Sequence, residues 1–166
     1  MDAPATLTAV RWREICAHHH AQAELAHRRD GAVTPLLLLF GAGDPTLVAL
    51  PDGVRAAGVA EKLGEIARHI GAQAAVLSAE AWMAHPSISP DALARLDPAD
   101  LPRPAEMTDK RECLITSGIW PRGHVVRHRV TMITRTPCGP VLGAARWLDA
   151  RDYGTNRWLE SLLPPP

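Results

Sequence analysis

Cys16, His20, Glu24 and His27 follow one another at intervals of four, four and three residues. On a helix that spacing places all four along one ridge. A thiol, two imidazoles and a carboxylate on one ridge could bind zinc or nickel. Length limits the idea. Cys16 and His27 are eleven residues apart, ~16 Å along a helix axis, so one ion could take two of the four and a second element would have to supply the rest. Helical histidines without such partners bind metal weakly, so no resident metal or cofactor is expected.

A second group sits in "AAVLSAEAWMAHPSISP", residues 74–90. Val76 and Leu77 belong to an apolar run, and then Glu80, Trp82 and His85 arrive, followed by Pro86. Together with Glu112, Glu80 and His85 are the residues a small metal-assisted hydrolase would use. Strand alternation divides them. Ala75, Leu77, Ala79, Ala81 and Met83 share a purely apolar face, which should meet the helices. Val76, Ser78, Glu80 and Trp82 share the other, which is half polar. That face is expected to be open to solvent, to line a cleft or to form a subunit interface, where exposed Trp is enriched. His85 falls after the strand, as a turn residue.

The third group is "RGHVVRHRVTMITRTPCGPVLGAARW". His124, Val126, His128, Val130 and Met132 share one strand face; Arg127, Arg129, Thr131, Ile133 and Arg135 share the other. His124 and His128 would be ~13 Å apart, too far to chelate one ion. From Arg103 to Arg135 seven basic residues accompany three acidic ones, a local excess of four. The face bearing Arg127, Arg129 and Arg135 would suit a small anionic ligand or an acidic partner, or would form cross-strand ion pairs. Single-stranded nucleic acid calls for aromatics among the arginines. Only Trp120 is near, so nucleic acid is not an expected partner. Cys138 stands in the turn "TPCGP", and a thiol nucleophile there would need a base the sequence does not supply. Walker, Gly-x-Gly-x-x-Gly, Gly-x-Ser-x-Gly and His-Glu-x-x-His motifs are absent from the sequence.

The 166 residues suit one domain spanning 1–166, with 18 basic and 18 acidic side chains. Zero net charge gives no global attraction to nucleic acid or an anionic membrane. Three widely spaced cysteines argue against a disulfide framework and a structural zinc. "PLLLLF", the longest strongly apolar run, is too short to cross a bilayer, and the start of the chain does not read as a signal peptide. A soluble bacterial protein of the cytoplasm is expected.

The elements that must position these groups follow from periodicity. Residues 5–29 read as a helix stopped at Gly31, with Trp12, Ile15, Cys16, His19, Ala23 and Ala26 on its apolar face and His19 packed inside. Residues 36–41 and 45–50 form a hairpin around "GAGD". "PDGVRAAGVAEKLGEIARHIG" is a second helix with a Val59, Leu63, Ile66, Ile70 stripe and Gly71 as its terminator. The strand of residues 74–83 follows, and a parallel crossover is allowed. Residues 86–109 are a Pro-rich connection with one short helix starting at Ser89. Strands over 112–120, 123–136 and 140–149 form an antiparallel meander, and a last helix starts near Thr155. The fold expected is α+β: a mostly antiparallel sheet of about five to six strands, with N-terminal, middle and C-terminal helices packed on it.

"LSAEAWMA" closing a strand and "TDKRECLITSG" opening the next resemble small uncharacterised bacterial and phage-associated proteins. These carry a Ser-Glu-Ala-Trp strand end and an Asp-Arg-x-Glu strand start. The likeness covers roughly residues 74–149, with Ala79 and Lys110 inserted relative to the pattern, and it implies no activity. It implies that Glu80, Trp82, Arg111 and Glu112 meet where two strands adjoin, with a Glu80–Arg111 salt bridge. The function expected is a non-enzymatic interaction or accessory module, acting as a homo-oligomer through the Glu80/Trp82 face. The hydrolase and the arginine-face anion binder are the alternatives.

Overall fold

The computed structural model describes residues 7–50, 57–83, 106–120, 125–148, 159 and 161–163. Helix α1 is Ala9–Asp30. Thr8 caps it by accepting the Arg11 N–H at 3.2 Å, which satisfies one of the amides a helix start leaves unpaired. Gly31 ends it at φ 76°, a left-handed conformation that costs glycine least. Its buried stripe is Trp12, Cys16, His20, Ala23 and His27. The sequence reading was rotated by part of a turn: His20 and His27 face the core, and His19 sits at the boundary, half buried.

Strands β1 (Leu36–Phe40), β2 (Thr46–Ala49), β3 (Ala74–Met83), β4 (Arg111–Trp120), β5 (Val125–Thr136), β6 (Gly139–Leu142) and β7 (Arg146–Leu148) make one seven-stranded sheet. Its order is β2-β1-β3-β4-β5-β6, with β7 also on β5. Every pairing is antiparallel. The seventh strand arises because the predicted strand 140–149 is interrupted. Leu142 opposes Ile133 and Arg146 opposes Val130, so residues 143–145 stand against only Thr131 and Met132. That is a β-bulge, which bends β6 away from the line of β7.

Helix α2, Ala57–His69, connects β2 to β3, which run parallel with β1 between them. The helix therefore crosses over one face of the sheet. A paired terminator closes it, with Gly71 N–H on Arg68 O at 3.1 Å and Ala72 N–H on Ala67 O at 2.7 Å. Ala67 rather than Ile66 completes its buried stripe, since Ile66 stays exposed.

The sheet has α1 on one face and α2 on the other. Leu63 and Ala67 pack on Leu37, Leu39, Ala75, Leu77 and Ile119, together with Leu159, Leu162 and Leu163. The apolar face of β3 thus meets a helix, as its alternation predicts. Most of the half-polar face is covered: α1 lies along it, with Trp12 and Cys16 over Val76 and Ala74, while Trp82 at its end stays exposed. The bulk of the predicted C-terminal helix, the connection 86–105 and His85 lie outside the described residues.

Candidate functional site

Close approach of α1 to the sheet starts at Gly118 in β4. A Cβ there would lie 2.2 Å from Cys16 Sγ and 3.2 Å from the Trp12 ring. Glycine is what lets the helix settle. Burial pushes the Cys16 thiol up to about 12, against a smaller opposing pull from Arg127. Cys113 is raised to about 11, again chiefly by burial.

One turn on, His20 enters a polar layer between helix and sheet. Its Nδ1 is 3.0 Å from Thr116 Oγ1 and its Nε2 is 2.9 Å from Thr131 Oγ1. Ser78 Oγ is 2.8 Å from Thr116 Oγ1, and Thr131 donates to Glu24 Oε1 at 2.5 Å. Burial lowers the His20 imidazole to about 4, with the Glu24 carboxylate opposing the shift and Arg129 adding to it. At neutral pH the ring is therefore uncharged, with one N–H. The direction of every bond then follows. The Thr131 proton goes to Glu24, so Thr131 accepts from His20 Nε2–H. His20 Nδ1 is then an acceptor, so Thr116 donates to it. Ser78 in turn donates to Thr116. Thr116 and Thr131 are each used once as donor and once as acceptor, and Ser78 as donor, which offsets the cost of burying them.

Two turns further on, His27 Nε2 lies 3.5 Å from Glu80 Oε1, and that oxygen accepts the Val33 N–H at 2.8 Å. Glu80 Oε2 is 3.7 Å from Arg135. Arg135 also grips Glu112 with two N–H groups, its Nε donating to Oε2 at 2.8 Å. That guanidinium holds the Glu112 carboxyl below the usual carboxylate range. The expected convergence of Glu80, Trp82 and Glu112 is present, since Trp82 is paired with Glu112 across β3 and β4. The predicted Glu80–Arg111 bridge is not. Arg111 lies opposite Met83, one position out of register with Glu112 and so on the other face. Arg135 takes its place.

The arginine face of β5 is half buried at Arg127 and Arg129, while Arg135 stays exposed. Trp147 of β7 has the Arg129 guanidinium 5.1 Å from its ring centroid and the Arg13 guanidinium 5.0 Å away. Arg127 is half buried and donates to Val126 O at 3.1 Å. On the opposite face His128 meets Ser117 Oγ at 3.0 Å. Trp82 is 46% exposed, with the Lys110 ammonium 5.1 Å from its ring centroid. Cys138 is exposed.

The Cys16, His20, Glu24 and His27 ridge is real, but it points into the protein. Among the described residues no three His, Cys, Asp or Glu side chains are grouped to hold a metal ion. Alternation places Ser78 and Thr131 on their strand faces, but nothing in the sequence joins them to Thr116. The available signal was "CLITSGIW", a Thr-Ser pair inside an otherwise apolar strand, which calls for buried partners.

The class defined is an antiparallel α+β sheet with a helix on each face and a buried polar layer under α1. No described helix is long and apolar enough to cross a membrane. No known protein family, curated protein or solved structure matches the chain.

Proposed function

We propose that this chain is a non-enzymatic interaction module of the bacterial cytoplasm, working as a homo-oligomer with Trp82 at the centre of its contact surface. One observation carries the reading: the Trp82 indole keeps 46% exposure beside charges that are already paired with one another. A large aromatic with neutralised polar neighbours has the composition of a contact surface.

The alternatives meet physical obstacles. A hydrolase using Glu80, His85 and Glu112 would need its carboxylates for a cation, and Arg135 already supplies the positive charge to both Glu80 and Glu112. The Ser78–Thr116–His20 chain is built like a nucleophile relay. Yet a base lowered to about 4 takes a proton poorly at neutral pH. An anion binder on β5 would compete with Glu112 for Arg135. Light scattering across a dilution series tests the proposal. The wild type should be a dimer or larger, and Trp82→Ala should dissociate it while leaving its circular dichroism unchanged. A monomeric wild type, or a Trp82→Ala protein that stays as tightly associated, would refute it.

A further inference from the structure

The two edges of the sheet differ. At the β6 edge Gly143 N–H donates to Met132 O at 2.9 Å. Hydrogen-bonded residues alternate along an antiparallel pair, so Val141 also turns its main chain to β5, and Pro140 and Leu142 turn theirs outward. Pro140 has no N–H to offer, and the bulge at 143–145 bends the chain beyond. At the β2 edge Leu50 N–H donates to Pro35 O at 2.8 Å. By the same alternation Thr46 and Val48 bond to β1, and the N–H and C=O groups of Leu47 and Ala49 point out of the sheet. β2 contains neither proline nor charge, and among the described residues it pairs only with β1.

The side chains at this edge are open as well. Leu47 lies opposite Leu38, and Ala49 opposite Leu36, so both belong to the α1 face. Helix α1 packs chiefly on β3, β4 and β5. It leaves Leu47 56% exposed and Ala49 exposed. Between α1 and the β1–β2 hairpin lies a cavity of about 650 Å³. Val33, Leu36 and Leu47 give it apolar walls, and His19, Gln22 and Thr34 polar ones. Ala49 extends the Ser78–Leu36 row outward, with a side chain too small to close that row at the edge.

We propose that β2 and this cavity form a docking groove for an extended peptide segment of a partner protein. The segment adds antiparallel to β2 and exchanges main-chain hydrogen bonds with Leu47 and Ala49. Beside Ala49 it lays a large aromatic side chain into the cavity, whose mixed walls suit an apolar ring with a polar tip. A second copy of this chain fits less well. Two β2 strands paired about Val48 would set Leu47 against Ala49, and leucine fills only a small part of the cavity. A strand of four residues, ~13 Å long, also gives a self-pairing contact well below the ~1,200 Å² of a stable dimer. The groove is independent of the Trp82 surface.

The probe is the N-acetylated, C-amidated peptide KTYTVTK, which sets tyrosine opposite Ala49 and valine opposite Leu47. Titrated into the ¹⁵N-labelled full chain, it should shift the amides of Leu47 and Ala49 and protect them from hydrogen exchange. The same peptide N-methylated at its tyrosine and valine keeps its side chains but loses both donors, and should bind at least about ten-fold more weakly. So should KTATVTK, which lacks the ring. Ala49→Pro copies the guard at Pro140 and leaves the β1 bonds intact; it should weaken KTYTVTK about ten-fold. Unmoved Leu47 and Ala49 amides, or a control peptide binding the wild type as tightly as KTYTVTK, would overturn the proposal. So would protection of these amides that grows with protein concentration and needs no peptide, since a second copy would then own the edge. The peptide comparisons stand even where Ala49→Pro fails to fold.

Discussion

Acidification should weaken this protein in a pH range set by His20. In the folded state burial holds the imidazole at about 4, against an ordinary value of 6.5. Between those values the unfolded chain binds a proton that the folded chain does not, so stability falls as pH falls. The contribution is fully present above 6.5 and is lost progressively down to 4. At 1.36 kcal/mol per unit, the 2.5-unit difference is worth about 3 kcal/mol, of which about 2 kcal/mol is gone at pH 5. His20 is 0% exposed, so solvent screening does not reduce the figure. Glu112 acts in a separate window. Its lowered pKa adds stability that disappears only as pH falls below the ordinary carboxylate value. Urea unfolding of the wild type and His20→Gln from pH 7 to 4.5 reads the effect. Glutamine can still accept from Thr116 and donate to Thr131, yet it does not titrate. The variant should lose about 2 kcal/mol less than the wild type on going from pH 7 to 5. Equal losses in both proteins would refute the assignment. So would an NMR titration of the wild type in which the His20 ring protonates near 6.5, or in which Nδ1 rather than Nε2 carries the proton.

Two other outcomes are expected. Gly118→Ala should destabilise by about 1–3 kcal/mol in urea unfolding, because its methyl group would collide with Cys16 and Trp12. Cys16→Ala in that background should recover part of the loss, since the collision is with the Cys16 sulfur. Iodoacetamide at neutral pH should label Cys138 in the native protein, and Cys16 and Cys113 only after unfolding, because the latter two are buried with thiols raised to about 12 and 11. Rapid labelling of Cys16 in the folded chain would contradict its place under α1.

The elements were legible where the signal is local. Gly31 and Gly71 mark the helix ends through capping chemistry, and the two faces of β3 and β5 follow from alternation alone; the start of α1, expected at residue 5, lies at Ala9 behind the Thr8 cap. The phase of α1 was harder. Its stripe contains two histidines, and hydrophobicity cannot tell a buried imidazole from an exposed one. Partners decide that, and Thr116, Thr131 and Glu80 come from strands remote in sequence. The ligand-like ridge of Cys16, His20, Glu24 and His27 was correctly read as one line of side chains. Which way the line pointed was not in the helix at all.

By itself the sequence determined the α+β class, the sheet pairing near the turns, and the grouping of Glu80, Trp82 and Ser78 on one face, because short-range sterics and period-two alternation fix these. Only the tertiary structure decided what covers that face. Gly118 admits α1 at close range, and the antiparallel register puts Glu112 and Trp82 together while turning Arg111 away. The buried hydroxyls then had to find donors and acceptors on the helix. That requirement, set by desolvation rather than by any local pattern, makes His20 a neutral link between the sheet hydroxyls and Glu24.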